Sequence, residues 1–304
     1  MSAPADNSAV FLPGPWQHRL INANGCQFHI AHMGEHRSDR PLVLLVHGFP
    51  EYWWTWRHQI EAVALAGYEV AAIDLRGIGG SDKTPDSADG MLLTQDLAAI
   101  VRSLGTSRAV VIGQGRGGFL AWSVAALEPD VVEGIMTVSA PHPRTLQRLG
   151  THLTLKTWRQ VLKTLIPHYA AKRLADEKDL KRLLTDWSAP GNAGASGEAA
   201  NYAAALRLPE AASISLEQLR WSYLSTSKIN GREHIALTRR FVNATVWAVR
   251  GERDPLLPAR AWRKDLEFAR GNYRFIEVPD AGHFVQEEQP GRVTDLVLEF
   301  LAQI

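Results

Sequence analysis

One turn constrains this 304-residue chain more than any other feature. Residues Val110 to Gly118 read V-V-I-G-Q-G-R-G-G, an apolar run that breaks into glycines and continues as a helical stretch. A strand that enters a helix through so sharp an elbow strains the residue at its apex. It also lifts that residue's side chain, usually Ser, Asp or Cys, clear of the sheet. Here the apex is Gly115, which has no side chain to present. Downstream, Asp254 in G-E-R-D-P and His283 in D-A-G-H-F are placed to act as an acid and a base.

The flanking sequence has the rhythm such an elbow needs. Leu42 to Val46, Glu69 to Asp74, Ala109 to Gly113 and Gly134 to Val138 are short apolar runs, the pattern of strands buried on both faces. Helical patterns at Leu92 to Leu104 and Gly117 to Leu127 lie between them. This alternation predicts a mostly parallel sheet with helices on both faces, an α/β fold. Gln27 to Met33 alternates and predicts an antiparallel edge hairpin. After Ala140 to Arg144 the strand signal stops until about Arg239. Helices are expected at Leu146 to Leu165, Leu174 to Trp187 and Leu216 to Ser225, with a mobile loop at Ser188 to Glu198. The sheet resumes with strands at Thr245 to Arg250 and Tyr273 to Val278 and a closing helix at Val293 to Ala302. The expected division is a core of 1–143, a helical lid of 144–239 and a second core part of 240–304, the lid covering the sheet edge where ligands bind.

Bulk properties exclude several classes. With 33 basic and 32 acidic residues the net charge is +1, which leaves no footprint for nucleic acid. No apolar run approaches the roughly 20 residues of a membrane span. A single cysteine, Cys26, excludes an internal disulfide. The start, M-S-A-P-A-D-N-S, lacks the charged and apolar regions of a secretory leader, so a cytoplasmic protein is expected. The eleven histidines are dispersed without zinc spacing, so neither metal nor other cofactor is expected.

Taken together, the motifs resemble the α/β-hydrolase superfamily, in its epoxide hydrolase-like branch. H-G-F-P-E-Y-W-W-T-W-R (His47 to Arg57), D-L-R-G-I-G-G-S-D-K (Asp74 to Lys83), V-S-A-P-H-P, G-E-R-D-P-L-L-P and P-D-A-G-H-F-V-Q-E-E-Q-P occur in the family's order. The resemblance implies an oxyanion hole from the backbone N–H groups of Phe49 and Arg116. It also implies a pocket drawn from His47, Trp53, Trp54, Leu219, Tyr169 and Tyr223, and a surviving Asp254–His283 pair. His142 is expected to be a turn residue, and Arg116 an exposed side chain. Ser139, Ser222 and Cys26 have no elbow context as replacement nucleophiles.

The departures matter as much. The family elbow reads G-H-D-x-G-G and its Asp attacks the epoxide. Here Gln114 replaces the His and Gly115 the Asp. The family's lid motif, like A-L-E-Y-Y-R-W, becomes S-L-E-Q-L-R-W, with Leu219 in place of a proton-donating tyrosine. No tyrosine precedes Pro167 in K-T-L-I-P. Three coordinated departures read as natural divergence. They imply a pseudoenzyme that binds an apolar or oxygenated small molecule without covalent hydrolysis. Two alternatives stay open: a noncovalent hydrolase or lyase using His283 and Asp254 as general base, and an interaction protein with a vestigial pocket. A protein partner is not specified, and a homodimer stays open.

Overall fold

The computed structural model describes residues 7–146, 155 and 167–304. Among them eight strands form one sheet in the order β1-β2-β4-β3-β5-β6-β7-β8. These are β1 (Gln17–Ala23), β2 (Cys26–Met33), β3 (Leu42–Val46), β4 (Val70–Ile73), β5 (Ala109–Gln114), β6 (Val132–Val138), β7 (Thr245–Gly251) and β8 (Tyr273–Val278). β1 and β2 form the expected antiparallel hairpin, and β2 runs antiparallel to β4. Every other neighbour pair is parallel. Every residue of β3, β4 and β5 is buried, so both faces of the sheet's centre are covered. This is the mostly parallel sheet that the alternation predicts, in the arrangement that the resemblance to α/β-hydrolases implies.

Helix α1 (Arg57–Leu65) packs on the C-terminal helix Pro290–Leu301, and α2 (Gly90–Ser103) packs on α3 (Arg116–Leu127). The Asp89 carboxylate caps α2 by accepting from the N–H groups of Met91 and Leu92. Helix α3 leaves β5 so abruptly that a Cβ on Gly117 would stand 2.2 Å from the Val46 carbonyl oxygen. Glycine alone permits that approach.

Between β6 and β7 the chain makes a series of helices. Two were not expected, Ala199–Leu206 and Ile229–Leu237. The helix expected at Leu146 to Leu165 lies outside the described residues. The one expected at Leu174 to Trp187 is two, Pro167–Leu174 and Glu177–Trp187, because Asp176 caps a new start by accepting from Asp179 N–H. The stretch Ser188 to Glu198, expected to be mobile, is instead tied down. Ala189 N–H donates to the Glu288 carboxylate (2.7 Å), Asn192 Nδ2 donates to the Glu288 carbonyl (3.0 Å), and Gly194–Gly197 makes a helical turn. Small residues there let the backbone come close enough to be satisfied by Glu288. A second stitch runs through Arg57, which grips Glu287 with both terminal nitrogens (2.8 and 2.7 Å) while Tyr202 from the inserted helices donates to the same carboxylate.

Candidate functional site

Gly115 sits where β5 ends, at the carboxyl edge of the sheet. Ligands of open α/β sheets bind beyond this edge. Its backbone is at φ 49°, ψ −110°, its N–H donates to the Val138 carbonyl (2.8 Å), and its own carbonyl accepts from Phe119 N–H (3.0 Å). The elbow is therefore fully built around a residue that presents nothing. A Cβ placed on Gly115 would meet only His283 Nε2 at 3.7 Å and Gly48 Cα at 3.9 Å.

His283 reaches this point from the loop after β8, and Asp254 from the loop after β7. His283 Nδ1 bonds Asp254 Oδ2 at 3.1 Å, and both residues are buried. Asp254 Oδ1 accepts from the N–H groups of Leu256 (2.7 Å) and Leu257 (3.2 Å), which leaves Oδ2 aimed at the ring. A carboxylate only accepts, so Nδ1 holds the proton and Nε2 holds the lone pair beside the empty elbow. The ring is held from behind. Gln114 Nε2 donates to the His283 carbonyl (3.2 Å), His283 N–H donates to the Trp187 carbonyl (2.9 Å), and the Trp187 ring stands edge-on to the imidazole at 5.5 Å.

A cavity of about 30 Å³ adjoins this pair, with Gly115, Phe49, Arg116, Leu219, Tyr223 and His283 among its walls. Leu219, Ser222 and Tyr223 all come from the helix Ala211–Leu224, whose i, i+3, i+4 spacing turns them to one side. Burial, and then the nearby Asp254, push the Tyr223 hydroxyl well above its ordinary pKa, so it stays a proton donor.

The structure corrects four expectations. Arg116 is not exposed: it is buried, donating to Ser222 Oγ (3.0 Å) and the Ala88 carbonyl (3.0 Å) beneath Trp221. The inserted helix covers it, which no local signal shows. His47 is not among the cavity walls. It bonds the Gly48 carbonyl through Nδ1 and accepts from Leu75 N–H through Nε2, so it is a neutral clamp between two strand ends. Trp53 is sealed inside, its indole N–H on the Val10 carbonyl (2.8 Å). Trp54 instead reaches the inserted segment, donating to Glu198 at 2.7 Å. The Tyr169 side chain lies outside the described residues. His142 follows β6 as expected of a turn, but its ring is buried, stacked on Phe268 at 3.8 Å and bonded to the Thr238 carbonyl. Trp187, Ser139 and Ser222 line the cavity without having been expected to. The signal for Ser222 was available, one helical turn beyond Leu219.

Among the described residues no group of three His, Cys, Asp or Glu is placed to hold a metal ion. No helix among them is long and apolar enough to cross a membrane.

The family model for the alpha/beta hydrolase fold matches residues 41–290. Epoxide hydrolase 3 of Xenopus tropicalis is 31% identical over 300 residues, covering 94% of this chain and 78% of the relative. Epoxide hydrolase A of Mycobacterium tuberculosis is 30% identical over 314 residues, covering 93% and 96%. Among solved structures, epoxide hydrolase A from Mycobacterium thermoresistibile aligns with a TM-score of 0.78 and 27% identity, over 94% of this chain and 98% of that one.

Proposed function

This chain belongs to the α/β-hydrolase family, with epoxide hydrolases among its relatives, and from that premise we propose that it binds a small molecule at the family's site without the family's covalent step. One observation carries the reading: the space where a nucleophile's side chain would start is open, and it faces the lone pair of His283. Opening an epoxide through an ester needs a carboxylate oxygen at that point, and glycine supplies none. In this reading 1–143 and 240–304 are the core, 144–239 is the lid, and Leu219 and Tyr223 form the lid's side of the pocket.

A second reading is favoured by the 3.7 Å between His283 Nε2 and the Gly115 Cβ position. A water in that gap loses a proton to Nε2 as its oxygen bonds the substrate carbon. Asp254 then holds the imidazolium, the N–H groups of Phe49 and Arg116 meet the developing oxyanion, and Tyr223 protonates the leaving oxygen.

Incubation with styrene oxide and a short aliphatic epoxide separates the two. The first reading expects no adduct by mass spectrometry and diol release far below about 1 s⁻¹, the low end of ordinary enzymes. Turnover at or above that rate without an adduct, lost in His283→Ala, establishes the second. Gly115→Asp should yield a trapped ester; its absence would show that more than the apex residue has been lost.

A further inference from the structure

Arg116 is unlike the other buried arginines of the described residues. Arg57 has Glu287 at 2.7 Å, Arg76 has Asp96 at 2.6 Å, and Arg250 has Glu277 at 2.5 Å. Arg116 is 6% exposed, and among the described residues no carboxylate is paired with it. Its terminal nitrogens are committed to a serine and a carbonyl, both neutral, and its Nε is buried with no acceptor. Ser139, 1% exposed on the same cavity wall, also has a buried hydroxyl with no partner. Burial pushes the Arg116 guanidinium down to about 9, still charged at neutral pH.

Asp89 steadies this charge only through space, and an arginine and a serine lining one cavity, each with a buried polar atom left without a partner, make a built site lacking its ligand. The protein also shows what fills an arginine's Nε edge. Arg76 gives Nε and a terminal nitrogen to the Asp96 carboxylate (2.7 and 2.6 Å), and Arg173 does the same to Asp179 (2.7 and 2.8 Å). We propose that the cavity beside Gly115 binds a short-chain monocarboxylate, its oxygens taken by Arg116 Nε and Ser139 Oγ. This deepens, and rests on, the reading of the cavity as a small-molecule site. The charge of Arg116 sets the ligand's sign, and the cavity's small volume sets its size.

Calorimetric titration of the full chain with acetate and with acetamide, its neutral counterpart, in carboxylate-free buffer tests the inference. Acetate should bind at least about tenfold more tightly, Arg116→Gln should abolish the preference, and Ser139→Ala should weaken acetate several-fold. Leu219→Trp, which narrows the cavity without touching Arg116, should remove acetate binding; binding that survives there lies elsewhere and overturns the site. Equal affinity for acetate and acetamide overturns the charge selection while leaving the small-molecule reading standing. Binding of neither, up to near-molar concentrations, overturns both.

Discussion

Among the described residues there are two buried histidine–aspartate pairs, and they make opposite uses of similar geometry. His283 and Asp254 meet at 3.1 Å, His29 and Asp74 at 2.8 Å. The second pair is saturated. Asp74 also accepts from Gly80 N–H (2.9 Å) and Trp53 N–H (2.9 Å), His29 Nε2 meets His18 Nδ1 (2.9 Å), and His18 Nε2 meets the Leu12 carbonyl (2.9 Å). Every polar atom of this His29–Asp74 pair is thus spent on a partner inside the protein. Burial alone would raise the Asp74 carboxyl, but His29's hydrogen bond and charge hold it below its ordinary value. The first pair ends instead in a lone pair, beside a cavity with two orphaned polar atoms and a glycine where a side chain is expected. A histidine–aspartate contact does not by itself single out a candidate site; an unspent end does.

The largest expected effect breaks the pairs apart by stability. Asp74→Asn removes a buried carboxylate shared by His29, Trp53 N–H and Gly80 N–H and should cost about 3–5 kcal/mol. Asp254→Asn keeps the cavity and one acceptor and should cost about 1 kcal/mol. Equal losses in denaturant titrations would erase the distinction.

Acid sharpens it next. Burial lowers His142 to about 3 and His234 to about 4, from 6.5. Unfolding lets both take protons, so their stabilising contribution is whole above 6.5 and shrinks as pH falls toward those native values. By about pH 5 the loss should reach roughly 4 kcal/mol. Asp74, being depressed, holds its contribution until pH falls below about 3.9 and through its native value. Acid should therefore weaken the protein through these two rings before Asp74 is protonated. A stability profile flat from pH 7 to about 4 would contradict this order.

The smallest effect concerns the elbow. Gly115→Ala puts a Cβ on backbone at φ 49° and should cost about 1–2 kcal/mol, read as a fall of roughly 2–4 °C per kcal/mol in the melting temperature. No change would mean that the turn relaxes when asked to carry a side chain.

The open pair was legible in the sequence and the sealed one was not, for a physical reason. Gly115, Asp254 and His283 sit in short motifs at strand ends, where strand, turn and chemistry are written side by side. The sheet was legible because apolar runs such as Leu42 to Val46 admit few other fates. Arg116 was misjudged because its burial depends on the helix Ala211–Leu224, almost a hundred positions away, folding over α3. Trp53 and Trp54 looked like a pocket wall because they cluster. Yet neighbours in a tight turn face different ways, and the wall's indole is Trp187, from the end of a helix whose start is set by Asp176. The anchored stretch from Ser188 was read as mobile because its partner, Glu288, lies near the other end of the chain.

That anchor has a mechanical consequence. Glu288 accepts from Ala189 N–H of the inserted region and from Gly282 and Phe284 N–H on either side of His283 (2.7, 2.8 and 3.0 Å). One carboxylate thus fastens the inserted segment and the His283 loop to a common point. The inserted segment cannot swing from this edge as a door does, because displacing it here drags the imidazole along. In the proposed reading, an entering molecule must part the insertion elsewhere. Any force it exerts on the Trp187 side is delivered to the orientation of His283 itself.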